Sequence, residues 1–367
     1  VPAATETPAN IAAWWRGLNG LQRQYALDKF PQLLGDLDGL PATVRDQSNR
    51  VMMAREEGRI TPELNQYSDR VDYIGSMVEQ DRVTELYPDE SDPQAAKFRA
   101  DAEMYDLMEK IRPMQDALDG IKAIHDRIAA PGPAVYLLKF STEGRGRAVV
   151  AINNPDTADN VITYVPGTFA KLGEGTATDI ERSHKMVADA GLAAPSKKTS
   201  SITWEGYDAP QSLIPGAAES GFADDAAPDL RRFQTGLRAS THAHLTVLGH
   251  SYGTTVVGFT ARDTAGIQAD DIVFVASPGV GVAYAVQLNG VPLGHVWATT
   301  AVFDIIRIVP DVRYGYSPVD PQFGAHQFTM DWNPLDGHTT YWDGTYDDNP
   351  ARRGIAAIAT SKYSSVQ

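Results

Sequence analysis

The run HLTVLGHSYGTTVVGF, His244 to Phe259, sets Ser251 between Gly249 and Gly253. A serine oxygen becomes a nucleophile when a neighbouring base takes its proton, and Gly-x-Ser-x-Gly is the local pattern that presents such a serine on a sharp strand-to-helix turn. Five residues are weak evidence alone, so their flanks must carry the case. LTVLG is an apolar, β-branched strand, and SYGTTVVGFTARD continues as a small-residue helix. A side chain on that turn stands at the carboxyl edge of a sheet, and glycine is needed on either side because neighbouring backbone passes too close for a Cβ. The turn also aims the Tyr252 amide at the place where an oxyanion would form. The competing reading is a structural serine in a tight turn.

A nucleophilic serine needs a base and an acid, which follow it in that order acid, then histidine, when the serine sits on such a turn. Eight histidines are present. His125, His184, His242 and His244 precede the turn, and His295 opens a later strand at its amino end. His338, in the Gly-bounded loop LDGHTTYW before the terminal helix, is the favoured base, and His326 in QFGAHQF is the alternative. HVWATTAVFD ends on Asp304 at a carboxyl edge, which makes it the candidate acid, with Asp311 in IVPDV as the alternative. The acid would hold the imidazole in one tautomer and stabilise the imidazolium.

A second oxyanion donor is expected from the loop after an earlier strand, VITYVPGTFA, through the amide of Thr168 or Phe169. Gly167 lets that backbone turn inward. Tyr207 and Asp208 in WEGYDAP either line the substrate pocket or cap their loop. His250 is expected to point away from Ser251; with Gly167, Tyr207 and Asp208 it completes the candidate substrate-contacting set.

The elements that would position these residues change character near Pro131-Gly132-Pro133. Before it the patterns are helical: one helix broken by Gly and Asn up to Pro31, another from about Pro41, and a long amphipathic helix from Pro93 to about Ile128. The last carries an apolar stripe of Phe98, Tyr105, Met108, Ile111, Leu118, Ile121, Ile124 and Ile128. Pro113 should end or kink it. After Pro133, AVYLLKF and RAVVAINN form a hairpin across STEGRG, and strands then alternate with helices around 177–190, 225–238, after Ser251, and 350–360. The pattern predicts an α/β fold: a mostly parallel sheet with an antiparallel edge and helices on both faces, over residues 134–367. Residues 1–133 form a helical region expected to pack on that core and to roof part of its pocket.

Composition removes several alternatives. The net charge of −15 argues against nucleic acid or an anionic membrane surface as partner. The absence of cysteine excludes disulfides and thiolate chemistry. No run has the length of a membrane-spanning helix, and VPAATETPAN has neither the basic nor the apolar part of a signal peptide. It reads as a mature or trimmed start, so a secreted or envelope location is an expectation only. GDLDGLPATVRD lacks calcium ligands at the required positions, because Leu40 stands at the fifth and no Glu closes the loop. Neither metal nor cofactor is expected.

With these residues in view the sequence resembles the α/β-hydrolase superfamily, and more narrowly an actinobacterial family described as a domain of unknown function. FPQLLGDLDGLPATVRDQSNR, YVPGT, WEGYDAP, VLGHSYGT, VASPGVGV and GHTTYW carry the resemblance from about Phe30 to Trp342. It implies a serine hydrolase with Ser251, Asp304 and His338 at the matching positions. Phe303 departs from the Gly that usually precedes the acid in that family. The expected activity is hydrolysis of a small-molecule or lipid ester through an acyl-enzyme. Amide or thioester cleavage by the same residues, and a catalytically idle export-associated interaction protein, are the alternatives.

Overall fold

A computed structural model describes residues 1–211, 221–308, 315–330 and 337–366. Eight strands form one sheet: β1 (Val135–Ser141), β2 (Arg147–Ile152), β3 (Asn160–Val165), β4 (Thr199–Glu205), β5 (His244–His250), β6 (Asp271–Val275), β7 (Val296–Thr299) and β8 (His326–Gln327). Their order is β1-β2-β4-β3-β5-β6-β7-β8. β1 and β2 are the hairpin, β2 pairs antiparallel with β4, and every pairing from β4 to β8 is parallel. The central strands are apolar on both sides because both faces are covered. The two-residue period divides them: Val161 and Val165, Leu245 and Val247, Ile272 and Phe274 enter one core, whereas Ile162 and Tyr164, Leu248, Val273 and Val275 enter the other.

Helices α7 (Gly221–Ser240) and α8 (Tyr252–Arg262) close the first core with Leu230, Phe233, Val256 and Phe259. Helices α6 (Thr176–Ala193) and α9 (Pro350–Ala359) close the second with Met186, Ile355 and Ile358. Asn349 caps α9, its side chain accepting from the amides of Ala351 and Arg352.

The segment before β1 forms α1 (Pro8–Gly17), α2 (Gly20–Lys29), α3 (Pro31–Leu34), α4 (Ala42–Glu79) and α5 (Pro93–Ala129). The single broken helix expected up to Pro31 is thus two, because Asn19 builds a capping box with Gln22 and starts a new helix. α4 and α5 cover the β1–β2 end of the sheet: Met53, Ile60, Ala117, Ile121 and Ile124 pack on Leu137, Phe140, Val150 and Ile152. α5 continues through Pro113, so of the expected end or kink the end does not occur there. The lost backbone donor costs less than the burial of Leu107 on one side and of Ala117, Ile121 and Ile124 on the other supplies. The apolar stripe is buried only in its second half, since Phe98, Tyr105 and Met108 are exposed. Farther from the sheet α4 and α5 pack on each other, through Ile74, Ala96, Ala100 and Leu107. β8 adds an unforeseen parallel edge strand; two residues are too few to leave a periodic signal.

Candidate active site

Ser251 follows β5 and caps α8 with φ 55° and ψ −129°, a conformation that non-glycine residues occupy only at a cost of about 1–3 kcal/mol. Packing holds it there. Its amide donates to the Val275 carbonyl on β6 at 2.9 Å, a Cβ at Gly249 would fall 2.6 Å from Thr254 Cα, and one at Gly253 would collide with the Val165 carbonyl. The turn places Ser251 at the carboxyl edge with the amino end of α8 directed at it, where the helix dipole favours negative charge.

His338 Nε2 lies 2.7 Å from Ser251 Oγ, and His338 Nδ1 lies 2.8 Å from Asp304 Oδ1. The three side chains come from three places: the β5–α8 turn, the segment after β7, and the loop before α9. Asp304 is 2% exposed and accepts two further bonds, from the Ile306 amide at 2.9 Å and from the Tyr341 hydroxyl at 2.7 Å. Burial opposes its ionisation, but the hydrogen bonds from His338, Ile306 and Tyr341 outweigh burial and hold the carboxyl below the usual range. Tyr341 also accepts from the Ala301 amide at 2.8 Å, so one hydroxyl ties the base loop to the turn that carries Asp304. Burial and the Asp304 carboxylate raise its pKa, so it stays a donor. Tyr341 stood in the quoted GHTTYW, but no spacing rule marked it as a support.

The other candidates divide. Gly167 meets the elbow: a Cβ there would sit 2.7 Å from Ser251 Cβ and 2.9 Å from the Tyr252 nitrogen. Thr168 is next in the chain, and among the described residues its amide has no hydrogen-bond partner. Phe169 is a correction. Its amide donates to the Pro210 carbonyl at 2.9 Å, and its φ of 72° turns its side chain outward, so that donor is already used. Tyr207 is also corrected from a pocket-lining role. It is buried, stacked on Trp204, and its hydroxyl donates to the Pro166 carbonyl at 2.8 Å, which braces the Gly167 turn from behind.

Asp208, just past β4, pairs at 3.2 Å with Arg147 at the start of the neighbouring β2. With Tyr207 it borders a cavity of about 60 Å³, room for roughly two waters rather than a substrate. His250 is buried against the base loop rather than open to a substrate, with Nε2 2.8 Å from the His338 carbonyl oxygen. Burial, reinforced by the Arg182 cation, pushes its pKa well below the histidine range and keeps it neutral. His326, the alternative base, lies at the far edge on β8, exposed, with its ring over Trp297. Asp311, the alternative acid, is outside the described residues.

Two buried carboxyls under the Gly167 turn were not anticipated. Glu205, at the end of β4, accepts from the Thr176 hydroxyl at 3.2 Å, and Thr176 accepts in turn from the Gly173 amide. Asp179, one turn along α6, accepts from Tyr164 at 2.9 Å and Arg182 at 2.8 Å. Burial and the adjacent Asp179 push Glu205 well above the carboxylate range. From the other side Asp116 of α5 pairs with Lys171, and Leu172 packs over Gly120. Among the described residues no cluster of His, Asp and Glu is placed to hold a metal ion, and no helix is long and apolar enough to cross a membrane.

Ser251 on a sharp strand-to-helix turn, a mostly parallel sheet and helices on both faces together form the α/β-hydrolase architecture. The profile of an alpha/beta hydrolase family matches residues 142–314, and this chain belongs to that family. The matched span holds Ser251 and Asp304 but ends before His338, which only the folded chain brings to them. An uncharacterised protein of Mycobacterium tuberculosis is 29% identical over 98% of this chain and 56% of its own length. One of Mycobacterium bovis is 31% identical over 56% of this chain and 80% of its own. The chain thus spans about half the length of the first of these relatives. Among solved structures, the esterase LipW from Mycobacterium marinum is similar at 16% identity, covering 71% of this chain and 90% of that one with a TM-score of 0.43. A hyperthermophilic esterase from the archaeon Pyrobaculum calidifontis is similar at 15%, covering 69% and 93%, also with a TM-score of 0.43.

Proposed function

We propose that the protein is a serine hydrolase that cleaves carboxylic esters through an acyl-enzyme. The observation that carries the reading is the unbroken line from Ser251 Oγ through His338 to Asp304, at 2.7 and 2.8 Å, on a strained turn that packing enforces. Ser251 Oγ attacks the ester carbonyl as His338 Nε2 takes its proton. The oxyanion forms against the Tyr252 amide at the start of α8 and the Thr168 amide beside Gly167. Collapse breaks the carbon–oxygen bond to the leaving alkoxide, which receives the proton from His338. Water then enters, gives one proton to His338 and attacks the acyl carbon; collapse breaks the bond from that carbon to Ser251 Oγ, His338 returns the proton to Oγ, and the acid and free Ser251 are released. Asp304 stays ionised throughout, holding the Nδ1–H tautomer and stabilising the imidazolium.

Esters are the default substrate because an alkoxide leaves more readily than an amine from the same intermediate. Residues 1–133 act in this reading as a packing region for 134–367, bracing one side of the site through Asp116 and Lys171. A fluorophosphonate probe tests the assignment: wild type should label, and Ser251→Ala should not. An unlabelled wild type would sink the serine-hydrolase reading in favour of an idle fold. A series of p-nitrophenyl esters of graded chain length, beside anilide and thioester analogues, distinguishes the leaving groups.

A further inference from the structure

We infer that His250 is a positioning residue for the catalytic base, fixing the main chain of His338 relative to Ser251. The inference rests on the serine-hydrolase reading and adds a residue to it.

His250 is the last residue of β5, in register with Val275 of β6, so its backbone belongs to the most buried part of the sheet. Its side chain falls on the face covered by α6 and α9, where the base loop returns. There its ring lies 5.1 Å from that of His338, 5.1 Å edge-on from Trp342 and 5.9 Å from Tyr341. Its Nε2 is 2.8 Å from the His338 carbonyl oxygen. A carbonyl only accepts, so Nε2 carries the proton and donates. Trp342 is itself held, by the Arg182 guanidinium over its ring and by Lys185, which donates to its carbonyl at 3.1 Å.

The need for such a contact follows from where the base sits. His338 lies in a loop, before the short 3-10 turn Thr340–Trp342, and outside any strand or helix. Among the described residues no other hydrogen bond reaches its main chain. Asp304 orients the ring, but a ring held only at Nδ1 can still swing with its backbone. The bond from His250 closes a circuit: Ser251 Oγ to His338 Nε2, His338 carbonyl to His250, and His250 through one peptide bond to Ser251. Nucleophile and base are thereby referred to the same strand end, so they shift together. The reach matters because a displacement near 1 Å at the reacting atoms costs on the order of a hundredfold in rate.

The experiment compares His250→Phe, which keeps a flat ring but has no donor, with His250→Gln, whose amide nitrogen can reach the same carbonyl. Both are assayed on a p-nitrophenyl ester, with circular dichroism and thermal melting as controls on folding. His250→Phe should lower kcat by about 10- to 100-fold with KM within about twofold, because ground-state binding is untouched. His250→Gln should recover most of that loss. An unchanged kcat in folded His250→Phe would overturn the inference, as would a folded His250→Gln no better than His250→Phe. Should His250→Phe fail to fold, His250→Gln still decides: kcat within about tenfold of wild type is expected, and a larger loss in a folded protein overturns the donor's role. Fluorophosphonate labelling of wild type keeps the two claims apart. Without labelling the serine-hydrolase reading fails; with labelling and an indifferent His250, only the positioning role fails.

Discussion

Replacing Asp304 by Asn is nearly isosteric, so its effect isolates the charge and the acceptor count. The carboxylate takes His338 Nδ1–H and the Ile306 amide on one oxygen and the Tyr341 hydroxyl on the other. An amide has one acceptor oxygen and a donor in place of the second. If the oxygen faces His338, the tautomer survives and only the charge is lost. The imidazolium of the transition state then gives up a charge-assisted bond of about 2 kcal/mol, or roughly 30-fold in kcat. In that pose the amide nitrogen meets the Tyr341 hydroxyl, which already accepts from Ala301, and leaves its proton without a partner.

If the nitrogen faces His338 instead, Nδ1 must accept and Nε2 must carry the proton. Ser251 then loses its base, which costs about ten-thousandfold, or roughly 5.5 kcal/mol. Both poses leave a buried donor unpaired, at about 1–3 kcal/mol each, so they are close in energy and the observed loss should fall between these limits. The assay is steady-state hydrolysis of a p-nitrophenyl ester with the acylation burst measured separately. KM should change little and the burst should slow with kcat. A folded Asp304→Asn enzyme within fivefold of wild type would refute the reasoning. The same carboxyl has its pKa depressed by folding, so it contributes stability above its unfolded value near 3.8 that is lost as pH falls through the lower folded value. The melting difference between wild type and Asp304→Asn should therefore narrow below pH 4.

Gly167→Ala should fold yet lose at least about a hundredfold in kcat, because a Cβ 2.7 Å from Ser251 Cβ must push the Thr168 amide off the oxyanion position; near-normal turnover would remove that loop from the mechanism. Tyr207→Phe removes the brace on the Pro166 carbonyl and leaves that acceptor buried, so kcat should drop about tenfold with a lower melting temperature; a change in KM alone would point to direct substrate contact instead. Glu205 is packed among Thr176, Asp179 and Tyr207, with Tyr164 and Arg182 across Asp179, and folding raises its pKa. The folded state therefore holds a proton that the unfolded chain has released, and wild-type stability falls as pH rises from about 4.5 through the folded value. Glu205→Gln has no proton to lose, so its melting temperature relative to wild type should climb between pH 5 and 9; parallel curves would show Glu205 ionised in the fold.

What could be read in the sequence was whatever neighbours in the chain decide. The elbow is of this kind, since an apolar strand, Gly249, Ser251, Gly253 and a small-residue helix lie within sixteen residues, His244 to Phe259, and steric rules link them. The hairpin, the alternation of strand and helix, and the carboxyl-edge position of Asp304 follow from periods of two and 3.6. Tertiary structure decided which groups were left to act. Phe169 and Thr168 are equivalent candidates in sequence, and they differ only because the Pro210 carbonyl, forty-one residues on, captures one amide. In sequence Tyr207 and Asp208 could either line a pocket or cap their loop, and His250, though expected to point away from Ser251, stood with them in the candidate substrate-contacting set. Folding turned them instead to the Pro166 carbonyl, Arg147 and the His338 carbonyl. Chain-local periodicity determined the sheet, its edge and the place of the serine. The local setting of LDGHTTYW already favoured His338 over His326. Only long-range contacts, which one sequence does not encode in any local pattern, determined which neighbours hold it against Ser251, namely Asp304 on its ring and His250 on its carbonyl.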